Sequence, residues 1–150
     1  MRDALSATGR PIVFSMCNGW DSSVQPWTWA APVSNLWRTT SDIQANFSSM
    51  LNNFHINVGL ASSAGPGAWN DPDMLEIGNG GMTAAEYRTH FSLWAIMAAP
   101  LLIGTDLRNA SADTFSILTN TDVIAVDQDP LGRQGTVISS SGGLVVYSKT

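Results

Sequence analysis

Apolar and polar positions along this chain fall into blocks whose period switches between those of strand and helix. Met1 to Thr8 suits a short helix closed by Gly9; Arg10-Pro11 then leads into Ile12-Val13-Phe14-Ser15-Met16-Cys17, a near-continuous apolar run that predicts a strand buried on both faces. Asn18 to Asn35 keeps no steady period and is rich in Gly, Ser, Pro and Trp (Trp20, Trp27, Trp29), which predicts a long loop of the kind compact domains usually keep for function. Leu36 to Thr40 predicts a second short strand. Ser41-Asp42-Ile43-Gln44 fits an S-x-x-Q capping box, and Ile43, Phe47, Met50, Leu51 and Phe54 then recur at helical spacing, so a strand, a turn and a helix are expected to meet at Asp42. Val58 to Ala64 leads to residues 65–75, which read as a strand end punctuated by glycine and proline. Thr83-Ala84-Ala85-Glu86 is a second capping box, opening a helix expected to run through Ala98 and close at Pro100. Leu101 to Gly104 predicts another buried strand, and Ser111 to Leu118 a helix capped by Ser111.

Past Pro130-Leu131-Gly132 the pattern changes. Thr136-Val137-Ile138-Ser139 and Leu144-Val145-Val146-Tyr147-Ser148, separated by Ser141-Gly142-Gly143, predict a β-hairpin. The expected class is therefore α/β: four strand–helix units over residues 1–132, then the start of a small antiparallel β domain over 133–150. A complete eight-unit α/β barrel takes ~250 residues, so these units suffice for about half of one. The first and last strands of such a half have unpaired edges, which predicts that Met1 is an internal methionine or a truncation point.

The charge of -5, with seven Lys and Arg scattered singly, offers no basic stripe for a phosphate backbone, so nucleic acid is not an expected partner. The apolar stretch from Phe91 to Ile103 is broken by Ser92 and Pro100 and falls short of the ~20 residues of a membrane span, so neither is a membrane. Met1-Arg2-Asp3-Ala4-Leu5 does not read as a signal peptide. The single cysteine, Cys17, forms no internal disulfide framework, and two histidines in unrelated segments, His55 and His90, do not suggest a metal site. No cofactor is implied. Asn46-Phe47-Ser48 and Asn109-Ala110-Ser111 match the N-glycosylation triplet.

In an α/β barrel the polar residues at the carboxyl ends of the strands face the reaction centre. Four clusters take that position here: Cys17-Asn18, Arg38 with Asp42, Asn70-Asp71-Pro72-Asp73-Met74, and Thr105-Asp106. A carboxylate near an arginine suits proton transfer, but spacing alone favours reading Asp42 as a residue that prefers the positive end of its helix. Asp71 and Asp73 around Pro72 read, from the residues alone, as turn formers.

The segment Ala64-Gly65-Pro66-Gly67-Ala68-Trp69-Asn70-Asp71-Pro72-Asp73-Met74-Leu75 closely resembles the AGPGGWNDPDML motif of glycoside hydrolase family 27, the α-galactosidases and α-N-acetylgalactosaminidases. Gly9-Arg10-Pro11-Ile12, Trp37-Arg38-Thr39-Thr40-Ser41-Asp42-Ile43, Leu93 to Leu101, Asp106-Leu107-Arg108 and Val123 to Gly132 follow the same family in order, so the resemblance covers nearly the whole chain. It implies strands five to eight of a (β/α)8 TIM barrel with their helices, then the first strands of a C-terminal β domain. It implies Asp42 as general acid/base of a retaining mechanism, Arg38 as a sugar contact beside it, Asp73 and Met74 as a polar and an apolar wall of the galactose pocket, and Asn18 near the sugar's 2-position. Many relatives carry Glu at that last place; a 2-hydroxyl is preferred here over a 2-acetamido group. Family members with a disulfide pair the strand-five cysteine with one just before Trp-Arg. Leu36 stands there, so Cys17 is expected to be a buried free thiol. The nucleophile sits in the family on a Lys-x-Asp strand that this chain lacks, its only lysine being Lys149, so the expected partner is the N-terminal half of the same barrel and the fragment alone is expected to be inactive. The substrate implied is an α-galactoside, and the location secreted or extracytoplasmic; the alternatives are an α-N-acetylgalactosaminidase of the same family and a non-catalytic carbohydrate-binding remnant.

Overall fold

The computed structural model describes residues 1–17 and 23–150. A short helix α1 (Arg2–Ser6) ends before Gly9, whose φ of +68° turns the chain toward strand β1 (Ser15–Met16). A 3-10 turn at Pro26–Thr28 precedes β2 (Leu36–Arg38), helix α2 (Phe47–Val58) and β3 (Trp69–Asp71). Helices α3 (Ala84–Ile96), α4 (Ala112–Leu118) and α5 (Thr121–Asp127) follow, then the hairpin strands β4 (Thr136–Ser141) and β5 (Leu144–Ser148). β1, β2 and β3 form a parallel sheet in that order, with Leu36 opposite Trp69 and Arg38 opposite Asp71. Leu75 and Ile103 add a parallel bridge, the Leu75 N–H donating to the Leu102 carbonyl at 2.7 Å. Parallel strands need crossover connections, and α2 provides the one between β2 and β3.

The Thr83 capping box forms as its sequence predicts, Thr83 Oγ1 accepting from the Glu86 N–H while Glu86 Oε2 accepts from the Thr83 N–H at 2.7 Å. The one at Ser41 does not. Helix α2 begins five residues after Asp42, capped by Asn46, whose Oδ1 accepts from the Ser49 N–H at 2.9 Å. The competitor is tertiary: the Ile43 N–H is taken by the Asp73 carboxylate at 2.8 Å, and the Gln44 N–H by Ser49 Oγ, which holds 41–45 as a loop. Helix α5 was not legible from the pattern; Asn120 caps it by accepting from the Asp122 and Val123 N–H groups.

Two runs expected to be buried strands are largely exposed. Ile12, Val13 and Cys17 lie open, correcting the expectation of a buried thiol, and Leu102 and Ile103 are half-exposed with a single bridge to the sheet. An apolar run records what a strand packs against in the complete sheet, and among the described residues β1 pairs on one side alone.

The core lies on the helical side. Met50 and Phe54 of α2, Phe91 and Trp94 of α3, and Ile117 and Leu118 of α4 close over Leu75 and Ile77. A side chain of that size buried from water contributes ~1.5–3 kcal/mol. Beside this core runs a buried polar network. Trp37 Nε1 donates to Asn70 Oδ1 at 2.9 Å, Asn70 Nδ2 to Gln134 Oε1 at 3.2 Å, and Gln134 Nε2 to the Asn57 carbonyl at 2.9 Å. Gln134, just past the glycine that ends the α/β segment, is thereby pinned to the sheet.

Candidate functional site

β2 ends at Arg38 and β3 at Asp71, so the loops that leave both strands emerge at the same edge of the sheet. Arg38 joins them. Its Nη2 donates to Asp73 Oδ2 at 2.7 Å, to Asp42 Oδ1 at 3.2 Å and to the Thr40 carbonyl at 3.3 Å. The guanidinium side chain is 13% exposed and that of Asp73 11%, whereas Asp42 is 61% exposed. One carboxylate is thus sunk as an anchor and the other stands in the open, both held by one cation.

Asp73 occupies a backbone conformation side chains rarely adopt, with φ of +89°. Such a residue costs on the order of 1–3 kcal/mol and persists where its surroundings over-determine it. Here they do. Besides Arg38, its carboxylate accepts from the Ile43 N–H at 2.8 Å and from its neighbour Met74's N–H at 2.8 Å, and its carbonyl accepts from Trp94 Nε1 at 2.8 Å. Asp71 secures the turn from the other side, Oδ1 accepting from the Asp73 N–H at 2.9 Å. Burial pushes the Asp71 carboxyl above the usual range, against the opposing pull of that N–H and of Arg38. Asn70 points away into the Trp37–Gln134 network and takes no part.

Met74 is part-exposed, and its thioether lies over Gly104, where an added Cβ would meet the sulfur at 2.5 Å and the Leu75 carbonyl at 3.0 Å. Only glycine leaves it that room. The sheet edge therefore presents Arg38, Asp42, Asp73 and Met74 together. Asn18, expected near the same place, lies outside the described residues, as does Trp20. Trp29 is exposed, its Nε1 donating to the Val24 carbonyl, and Trp37 is fully buried. Asp106 turns back on Arg108 at 2.6 Å in the open, so that cluster does not join the site. A cavity of about 460 Å3 opens at the opposite ends of the strands, among Leu36, Trp69, Leu102 and Asp127, away from these charges. Among the described residues no group of three or more His, Cys, Asp or Glu is placed to hold a metal ion, and no helix is long and apolar enough to cross a membrane.

An open carboxylic acid beside a fixed cation, with a buried polar anchor and an apolar wall, is equipped to bind a hydroxylated ligand and move one proton. Comparisons with known proteins give the family. The family model described as Melibiase_2, Alpha galactosidase A, matches residues 1–129. The chain belongs to this family. It is 58% identical over 142 residues to Alpha-galactosidase 3 of Arabidopsis thaliana, covering 95% of this chain and 32% of that one, and 44% identical over 160 residues to the alpha-N-acetylgalactosaminidase of Homo sapiens, covering 99% and 38%. Among solved structures, alpha-galactosidase I from Mortierella vinacea superposes with a TM-score of 0.94 at 35% identity, over 100% of this chain and 42% of that one. The Saccharomyces cerevisiae alpha-galactosidase with raffinose gives 0.88 at 33% identity, over 93% and 35%. The chain spans about a third of the length of the curated relatives it matches.

Within this alpha-galactosidase family frame, two residues of the site's support went unread in the sequence. Asn53 of α2 and Trp94 of α3 touch the backbone on which Asp42 and Asp73 ride. Asn53 had a signal: Met50, Asn53, Phe54 and Asn57 make an i, i+3, i+4, i+7 stripe, and all four are buried. An amide on an apolar stripe must find partners indoors. Trp94 carried no such mark, because tryptophan in an apolar helix reads as core.

Proposed function

We propose that this segment is the proton-donor half of a retaining α-galactosidase, with Asp42 as the general acid/base. The observation that carries it is the Arg38 bridge, which holds an exposed Asp42 beside a buried Asp73 where two parallel strands end. In the first step the Asp42 carboxyl gives its proton to the glycosidic oxygen while a carboxylate on the preceding part of the polypeptide attacks the anomeric carbon, so the leaving sugar departs neutral. In the second, Asp42 takes a proton from water as that water displaces the enzyme carboxylate, which restores both groups. Retention needs the two carboxyls ~5–5.5 Å apart. Once Asp42 is ionised, the Arg38 guanidinium stabilises it. Arg38 and Asp73 offer polar contacts to the sugar hydroxyls, and the Met74 thioether an apolar contact to a ring face.

The strands are read as the second half of a (β/α)8 barrel, residues 1–132, and the β4–β5 hairpin as the opening of a β domain, residues 133–150. The first half would supply the nucleophile and cover the exposed apolar positions Ile12, Val13, Leu102 and Ile103. The substrate class is a terminal α-linked galactose; the solved relative with raffinose and the α-galactosidase relatives support it. The human alpha-N-acetylgalactosaminidase keeps a 2-acetamido substrate as the second reading. It is decided by comparing the two sugars on one enzyme. An extracytoplasmic location belongs to the same reading and is checked by fractionating the source cells.

The test is Asp42→Asn in a full-length enzyme carrying this segment. Turnover of an α-galactosyl disaccharide should fall by ~10²–10⁴, with azide partly restoring cleavage of an aryl galactoside whose leaving group needs no proton. Unchanged turnover would assign the acid/base role elsewhere.

A further inference from the structure

Helix α2 sends one side chain to both loops of the candidate site. Asn53, 2% exposed, donates from Nδ2 to the Ser41 carbonyl at 3.2 Å and to the Pro72 carbonyl at 3.0 Å. Ser41 immediately precedes Asp42, and Pro72 immediately precedes Asp73. The same Pro72 carbonyl also accepts from Thr40 Oγ1 at 3.0 Å, and the loop around Asp42 has no regular secondary structure of its own. A single amide therefore joins the two loops from the helix side, alongside the Thr40–Pro72 and Ile43–Asp73 hydrogen bonds and the two ion pairs through Arg38. We propose that Asn53 is a positioning residue for proton donation, fixing the Asp42 loop against the Asp73 turn so that the exposed carboxyl stays aimed at the leaving-group oxygen. This rests on Asp42 being the acid/base.

Loss of the clamp leaves the buried Pro72 carbonyl and the part-buried Ser41 carbonyl each with one donor fewer, and the loop that drifts is the one carrying Asp42. A displacement of about 1 Å in a catalytic group costs on the order of 100-fold. That cost falls where the proton matters. The test uses the full-length enzyme and reads kcat/KM, which reports the first chemical step, for an α-galactosyl disaccharide and for a dinitrophenyl α-galactoside. Asn53→Ala should lower the disaccharide value by about 100-fold and the dinitrophenyl value by only a few-fold, and should shift the alkaline limb of the disaccharide pH profile. Asn53→Asp, which keeps the shape but presents a carboxylate to two carbonyls, should do the same. Asn57→Ala serves as the control for stability alone, since Asn57 is equally buried on the same helix but bonds to Thr39 and Met97; it should lower Tm and leave the ratio of the two substrates unchanged. Equal losses on both substrates with an unmoved pH limb, or the failure of both Asn53 variants to fold, would make Asn53 part of the scaffold and overturn the proposal. Asp42→Asn run alongside separates the two claims: if it discriminates between the substrates and the Asn53 variants do not, only the role of Asn53 is lost.

Discussion

Asp73→Asn removes one charge from the site and almost nothing of its shape, which makes its effect calculable. The carboxylate and the Arg38 guanidinium meet at 2.7 Å with side chains 11% and 13% exposed, so the cation has little water to fall back on. Removing one partner of a pair buried to that degree costs ~3–5 kcal/mol, chiefly because the other charge stays behind. Asp42 softens the loss, since it already lies 3.2 Å from the same nitrogen and is free to move closer. Asparagine also tolerates positive φ and keeps an oxygen for one backbone N–H, so the strained turn at +89° need not open. The lower end of the range, about 3 kcal/mol, is therefore expected. For a cooperative unit of 150–250 residues that corresponds to a fall of roughly 6–12 °C in Tm. Differential scanning calorimetry of the full-length protein reads it directly, and Asp73→Ala, which loses both side-chain acceptors and keeps the strain, should fall further. A Tm within a degree of the parent would show that the pair contributes nothing net and would refute the anchor role assigned to Asp73.

His90 gives a pH signature. Burial holds its pKa down at about 4 in the folded chain against an ordinary 6.5, so between those values the unfolded chain binds the extra proton. Its contribution is complete above pH 6.5 and is lost on acidification, so the stability difference between the parent and His90→Gln should shrink by ~2–3 kcal/mol between pH 7 and pH 4.5. Comparing the two proteins is essential, because Asp127, raised by burial to about 6, acts with the opposite sign over the same window. A difference that stays constant with pH would contradict the assignment. The polypeptide of residues 1–150 by itself should release no nitrophenol from an α-galactoside, since the proposed nucleophile belongs to the other half of the barrel; turnover that survives Asp42→Asn and is lost on changing Asp71 would overturn the division of roles.

The signals that read correctly from the sequence are local ones. The capping box at Thr83, the cap at Ser111 and the hairpin turn at Gly142-Gly143 each satisfy their hydrogen bonds within a few residues, so neighbours in sequence suffice to specify them. The motif at Ser41 has the same letters as a true cap and fails because Asp73, thirty residues away, claims the Ile43 N–H. Arg38 and Asp42 are close neighbours in the sequence, but the shorter contact is to Asp73, in the turn that follows another strand.

The sequence by itself determined the alternation of strand and helix, the carboxyl-end placement of Arg38, Asp42, Asp73 and Met74, and, through the Trp-Asn-Asp-Pro-Asp-Met run, the family. Periodicity and caps are properties of a stretch of chain, and a dense motif keeps its spacing whatever surrounds it. Which carboxylate is sunk and which stands open, that Asn53 ties both loops, and that the apolar runs at Ile12 and Leu102 lie uncovered were decided only in three dimensions. Burial and hydrogen-bond partnership depend on residues far apart in the chain, and their order along the sequence does not encode which competitor wins.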